Sequence, residues 1–135
     1  MTRYEAIQVG DTAEFGKTIT EADICAFVGV SGDTNPVHIN EVIASGTMFK
    51  RRIAHGMLSA GLISTVLGTK LPGAGTIYLS QSLNFKLPVY IGDTITAKLT
   101  VVEKKEKFRL RLLTECFNQD DKVVITGEAE VMLKD

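Results

Sequence analysis

The chain has 135 residues, 44% of them hydrophobic, which is enough for one core and too few for two ordinary domains. A formal charge of −1 and a pI near 6.1 leave no excess of basic residues for a phosphate backbone, so no nucleic-acid partner is expected. Cys25 and Cys116 lie far apart, outside any CxxC or histidine-rich spacing, which points away from a disulfide framework or a zinc site and towards a reducing cytoplasm.

The opening residues Met1 to Ala6 carry an acid almost at once and lack the apolar core of a signal peptide, so secretion is not expected. Thr20-Glu21-Ala22-Asp23 has capping-box spacing, and Ile24, Phe27 and Val28 then share one helical face before Gly29 offers a stop. Cys25 on that helix reads as a small buried hydrophobe. Asn40 is placed to cap a further turn holding Val42 and Ile43, and Gly46 to Arg52 reads as an irregular overhang.

Apart from His55, the stretch Ile53 to Thr69 is uncharged. It falls short of a membrane span and is diluted by Gly56, Ser59, Gly61, Ser64, Thr65 and Gly68, so it reads as a buried helix in a soluble protein. Residues from Gly56 to Leu67 are apolar or small on all sides, which predicts a helix buried all round, with Ala60, Gly61 and Ser64 letting a sheet approach closely.

Four segments then alternate with period two: Ile77, Leu79, Leu83, Phe85; Ile95, Ala97, Leu99, Val101; Phe108, Leu110, Leu112; and Val123, Ile125, Ala129, Val131, Leu133. Their connectors, Pro88 to Asp93, Lys104 to Lys107 and Asn118 to Asp121, are short and polar or carry Pro and Gly. Consecutive strands are therefore expected to pair antiparallel, as a meander around one central helix.

The densest chemistry lies between the first two predicted helices, in Ser31-Gly32-Asp33-Thr34-Asn35-Pro36-Val37-His38. Proline fixes its own φ near −65° and pushes Asn35 out of the helical region, so the segment is a defined bend that holds a carboxylate and an imidazole close together. A general acid/base pair acting on one water is one reading of Asp33 and His38. A turn aspartate bonding its own backbone, beside a surface or core histidine, is the other.

The pattern Phe27, Val30, Ser31-Gly32-Asp33, Asn35-Pro36-Val37-His38, Ala44 resembles the signature of the MaoC-like (R)-specific enoyl-CoA hydratases. The resemblance continues through Arg52-Ile53-Ala54-His55-Gly56-Met57-Leu58, Leu71-Pro72-Gly73 and Gln81 to Asp93, and is strongest to the short hydratases that supply (R)-3-hydroxyacyl-CoA for polyester synthesis. It implies an α+β hot-dog fold over residues 1–135 as one MaoC-like domain, an antiparallel sheet wrapped around a long central helix with an overhanging segment carrying the catalytic motif. It also implies an acyl-CoA substrate, no cofactor beyond the coenzyme A of that substrate, no metal, no membrane partner and a homodimer.

Hydration of an enoyl thioester needs a base for water, a proton for C2 and a positive group facing the thioester oxygen. The reading taken is His38 as base and Asp33 as water-orienting proton donor, with the reverse order left open. Gly56, at the start of the buried helix, supplies a backbone amide and the positive dipole end as an oxyanion site. Asn35 and Ser64 are supporting residues. The resemblance places Ser64 near the catalytic histidine, while helix packing is its alternative role.

Lys50, Arg51 and Arg52 are candidates for the phosphates of coenzyme A, against the alternative of a solvated cluster. Met57 and Leu58, with Leu62, line the acyl pocket on one reading and belong to the core on the other. His55 reads as structural, bonded to backbone. A dehydratase acting on carrier-protein, branched or dicarboxylic thioesters and a non-catalytic acyl-CoA-binding protein are the rival functions. A thioesterase shares the expected fold without sharing this motif.

Overall fold

The computed structural model describes residues 1–134. In chain order it contains α1 (Arg3–Ala6), β1 (Thr12–Thr18), α2 (Glu21–Ser31), α3 (Pro36–Ile39), α4 (Glu41–Ser45), α5 (Gly56–Thr69), β2 (Ile77–Gln81), β3 (Asn84–Phe85), β4 (Thr94–Lys105), β5 (Arg109–Phe117) and β6 (Val123–Met132). The sheet runs β1-β4-β5-β6-β2, antiparallel at every pairing, with β3 also on β6. It curls around α5 in the hot-dog arrangement. No helix among the described residues is long and apolar enough to cross a membrane.

Local chemistry sets most helix ends. Thr20 accepts from the Asp23 amide and Asp23 accepts from the Thr20 amide, closing the capping box that starts α2. Ile24 is buried and Phe27 and Val28 are half-buried, as expected. The helix runs through Gly29, the expected stop, and ends at Ser31, because the residue that adopts the left-handed cap is Gly32, at φ 75°. Asn40 accepts from the Ile43 amide at 3.0 Å and starts α4, and the residues from there to Arg52 carry no further helix or strand.

The core is the inner face of the sheet against one face of α5. Ile95, Ala97, Leu99 and Val101 of β4, Leu110, Leu112 and Cys116 of β5, and Val124, Ile125, Ala129 and Val131 of β6 meet Leu62, Ile63, Val66 and Leu67. Burying each large aliphatic side chain contributes about 1.5–3 kcal/mol, so this one layer is the main source of stability. The β4–β5 and β5–β6 hairpins form where the polar connectors predict.

Four further expectations are corrected. First, α5 is buried on one side only: Met57, Gly61, Ser64 and Gly68 face outward, and a Cβ added at Gly61 or Gly68 would touch nothing within 4 Å. The bulky aliphatics, not Gly61 and Ser64, meet the sheet. Second, the four expected strands are joined by a further one, β1, which the alternation does not announce, since Ala13 and Phe15 are its only apolar residues; its register against β4 is what holds it.

Third, Pro88 to Asp93 does not join neighbouring strands. The Val89 carbonyl accepts from Ala54 N at 2.7 Å and Tyr90 bridges Ile53, so the segment pairs with the approach to α5 and delivers the chain across the molecule to β4. Fourth, the alternation from Ile77 to Phe85 is two short strands, with Leu79 and Phe85 exposed, and Phe108 sits at positive φ in the hairpin turn before β5.

The break between β2 and β3 is built around Gly127 of β6. A Cβ there would lie 1.9 Å from the Ser82 carbonyl oxygen, while Ser82 N donates to the Glu128 carbonyl at 2.9 Å. Because the obstacle is backbone, Gly127→Ala is expected to destabilise the fold by about 2–4 kcal/mol. A lowered urea midpoint at unchanged slope is the measurement; an unchanged midpoint would contradict this packing.

Candidate active site

The loop between α2 and α3 is a chain of side-chain caps. Ser31 Oγ accepts from Asp33 N at 3.1 Å, Asp33 Oδ1 accepts from Asn35 N at 3.1 Å, and Asn35 Oδ1 accepts from Val37 N at 3.2 Å, with Pro36 at the first position of α3. Asp33 thus makes the turn contact expected of it and still presents its carboxylate to solvent, whereas His38 is buried, 8% exposed.

His38 Nδ1 lies 2.7 Å from the Ile53 carbonyl oxygen. A carbonyl only accepts, so Nδ1 carries a proton, and in the neutral ring the lone pair is on Nε2, the tautomer a base requires. His55 Nε2 donates to the Asp33 carbonyl at 3.0 Å. Its ring stacks on His38 at 3.8 Å and leans on Phe27 at 4.7 Å, which is the structural role expected of it.

One side-chain N or O atom from each of Asp33, His38 and His55 falls within 4.8 Å of the others, a span that one bridging water can close. A shared cation fits less well. With the rings stacked at 28°, their in-plane lone pairs run nearly side by side instead of converging on a point about 2 Å from both nitrogens.

Gly56 opens α5, and the ring of Phe85 lies where a side chain would go: an added Cβ would be 2.6 Å from Phe85 Cε1. His55 provides no side-chain cap, so the Gly56 amide and the positive helix end have no side-chain partner. Beside them is a cleft of about 320 Å³ lined by Met48 and Phe49 of the overhang, Ile53, Ala54, Gly56, the segment Phe85 to Val89, and Ile125. Ser59, wholly buried, also lines it.

Of the two serines on α5, the sequence reading selects Ser64, and the structure puts Ser59 at the cleft instead. Ser64 lies on the outward face of α5 with Met57, and within one chain it does not line the cleft. The available signal is position: Ser59 falls in register with Leu62, Ile63, Val66 and Leu67, a polar residue inside the apolar stripe. Met57 is 56% exposed and Leu58 packs on the core, so in the single chain neither lines the cleft; helical rotation turns both away from the side of Gly56 and Ser59.

The three cations separate. Arg52 donates through Nε to the His38 carbonyl at 2.7 Å and pairs with Glu21 at 2.9 Å, so its fork is occupied inside the protein and braces His38. The Arg52 hydrogen bond in turn holds the Glu21 carboxyl below its ordinary range. Arg51 stacks over Tyr90 at 4.0 Å, and Lys50 is exposed at φ 68°.

Residues 6–119 match the family described as the MaoC like domain, and the chain belongs to that family. It is 56% identical over 131 residues to an (R)-specific enoyl-CoA hydratase of Rhodospirillum rubrum, covering 96% of this chain and 90% of that one. It is 45% identical to an (R)-specific enoyl-CoA hydratase of Aeromonas caviae, covering 96% of this chain and 97% of that one. The solved R-hydratase of Pseudomonas aeruginosa in its unliganded form superposes with a TM-score of 0.92 at 51% identity, over 96% of this chain and 84% of that one.

Neither cysteine joins the site. Cys25, expected to be buried, is exposed, because one step along α2 from buried Ile24 turns it outward to within 3.7 Å of Glu21 Oε1. Cys116 is buried, and burial pushes its thiol up to about 12. Native protein at mildly alkaline pH is therefore expected to release one equivalent from a disulfide thiol reagent rapidly and two after denaturation. Two fast equivalents from folded protein would contradict the placement of Cys116.

Proposed function

We propose that the chain is a hydro-lyase that reversibly adds water to trans-2-enoyl-CoA to give (R)-3-hydroxyacyl-CoA, with residues 1–135 acting as one MaoC-like domain. The observation that carries this reading is His38 held through Nδ1 by the carbonyl of Ile53, near the Asp33 carboxylate, while Ile53 itself lines the cleft that opens on Gly56. The high identity to hydratases over nearly the whole chain supports it.

In this mechanism water is held between Asp33 and His38. His38 Nε2 takes one proton as the water oxygen bonds to C3, the electron pair of the double bond moves towards the thioester oxygen, and Asp33 with His38 returns a proton to C2. The Gly56 amide faces the oxygen as negative charge develops, where the positive helix end is most useful. Asn35 holds the bend, and Arg52 and His55 hold His38. The apolar cleft takes the acyl chain, and Lys50 and Arg51 face the coenzyme A phosphates. Proton transfers and an amide donor suffice for this chemistry, so the reading requires no cofactor or metal.

A second copy of the chain completes the reading. The outward face of α5 offers Met57, Gly61, Ser64 and Gly68, and the edge strand β2 exposes Tyr78 and Leu79, a surface on which two sheets join and two helices cover each other. Ser64 then lies at the junction. The cytoplasm is the proposed compartment, where the exposed Cys25 stays reduced.

Two measurements test these statements. Asp33→Asn and His38→Gln are each expected to lower the hydration of crotonyl-CoA by at least about 100-fold, with the (R) product formed by the unaltered protein. Near-normal hydration by either folded variant would sink the assignment. Sedimentation at micromolar concentration is expected to give a dimer; a fully active monomer would refute the homodimer.

A further inference from the structure

Among the described residues, two buried side-chain atoms have no hydrogen-bond partner: His55 Nδ1 and Ser59 Oγ. They belong to residues one helical turn apart, flanking Gly56 at the start of α5. An orphaned buried polar group costs about 1–3 kcal/mol, so each marks a place where a ligand atom or water belongs.

Their chemistry separates them. His55 donates through Nε2 to the Asp33 carbonyl, so in the neutral ring Nδ1 holds a lone pair and acts as an acceptor, not as a donor to a negative oxygen. Ser59 carries a hydroxyl proton. Helical serines commonly donate to the carbonyl four residues back, here His55, and Ser59 does not; that carbonyl accepts from Leu58 N at 3.0 Å.

Direction places the hydroxyl. Side chains on a helix lean towards its N-terminus, so Ser59 is carried back over the turn that Gly56 begins, and both residues line the same cleft. The other lining side chains are apolar except Lys86. A thioester seated there would meet the Gly56 amide from the helix end and a hydroxyl from the cleft wall.

We propose that Ser59 is a second hydrogen-bond donor to the thioester oxygen, paired with the Gly56 amide, and hence a catalytic residue of the hydration. The proposal rests on the functional reading above and deepens it. As the double-bond electrons move onto the oxygen, the Ser59 bond strengthens more than it does in the bound substrate, so its effect falls on turnover and little on binding.

The test uses Ser59→Ala and Ser59→Cys, which remove or weaken the donor without enlarging the residue much. Each is expected to lower kcat for crotonyl-CoA by about 10- to 100-fold, less than loss of a principal donor because the Gly56 amide remains, with KM within about twofold. The second readout is spectroscopic. The CoA thioester of sorbic acid bound to the Asp33→Asn protein is expected to absorb at longer wavelength than when free, because the carbonyl is polarised, and adding Ser59→Ala should reduce that shift.

An undiminished kcat, or a red shift that Ser59→Ala leaves unchanged, would overturn the proposal; a fall in kcat with the full shift retained would make Ser59 structural. Wild-type protein that binds the sorbyl thioester and hydrates no enoyl-CoA would remove the hydratase reading alone, and the shift comparison would still decide whether Ser59 donates.

Discussion

The bond from His38 Nδ1 to the Ile53 carbonyl is the constraint on which the site depends. It selects the tautomer of His38 and also fastens the motif loop to the segment that leads into α5. Around it, Ile53 N donates to the Val37 carbonyl at 3.2 Å and Arg52 Nε donates to the His38 carbonyl at 2.7 Å, so residues 37–38 and 52–53 are laced together in both directions. Residues 53–54 are in turn tied to Val89 and Tyr90. The loop is thereby held by the sheet's own crossing segment, which keeps His38 and the Asp33 carboxylate in fixed relation.

The same lacing explains where close packing is required. Gly56 follows directly, and Phe85 of β3 fills the position its side chain would have taken. Phe85 is set there by its pairing with Ile125, and β3 exists because the chain between β2 and β3 crosses Gly127. Two glycines from distant parts of the chain therefore serve one end: the first leaves the helix-end amides open to a ligand, and the second lets the strand that walls the cleft come close enough to reach them.

What can be read in the sequence is what depends on neighbours in sequence. The capping box at Thr20, the Asn40 cap, the polar hairpin connectors and the bend at Asn35-Pro36 all act within a few residues, and all are present. The end of α2 falls at Gly32 and not at Gly29 because only backbone conformation distinguishes the two glycines. Long-range pairing is not readable: β1 has too few apolar residues to announce itself, and β2 leaves the meander because the crossing at Val89 pairs with residues near 54. For α5, composition suggests all-round burial, yet small residues outside and large ones inside form a one-sided helix whose other face is exposed in the single chain.

The one-sidedness of α5 also bears on the serines. Ser59 and Ser64 are alike in sequence, each set among apolar and small residues, and differ in which side of the helix they occupy. One is enclosed with its hydroxyl unpaired beside the cleft; the other stands on the face open to a second chain. The Asp33–His38 half of the candidate site sits on short capped turns, with the Asp33 carboxylate open to solvent. The other half, Gly56 and Ser59, sits in the first turn of α5, where Gly56 is open and Ser59 is enclosed, and enclosure strengthens any bond the hydroxyl makes. Hydration needs both environments within one substrate length, and a helix that begins at the rim of the sheet beside a laced loop supplies them.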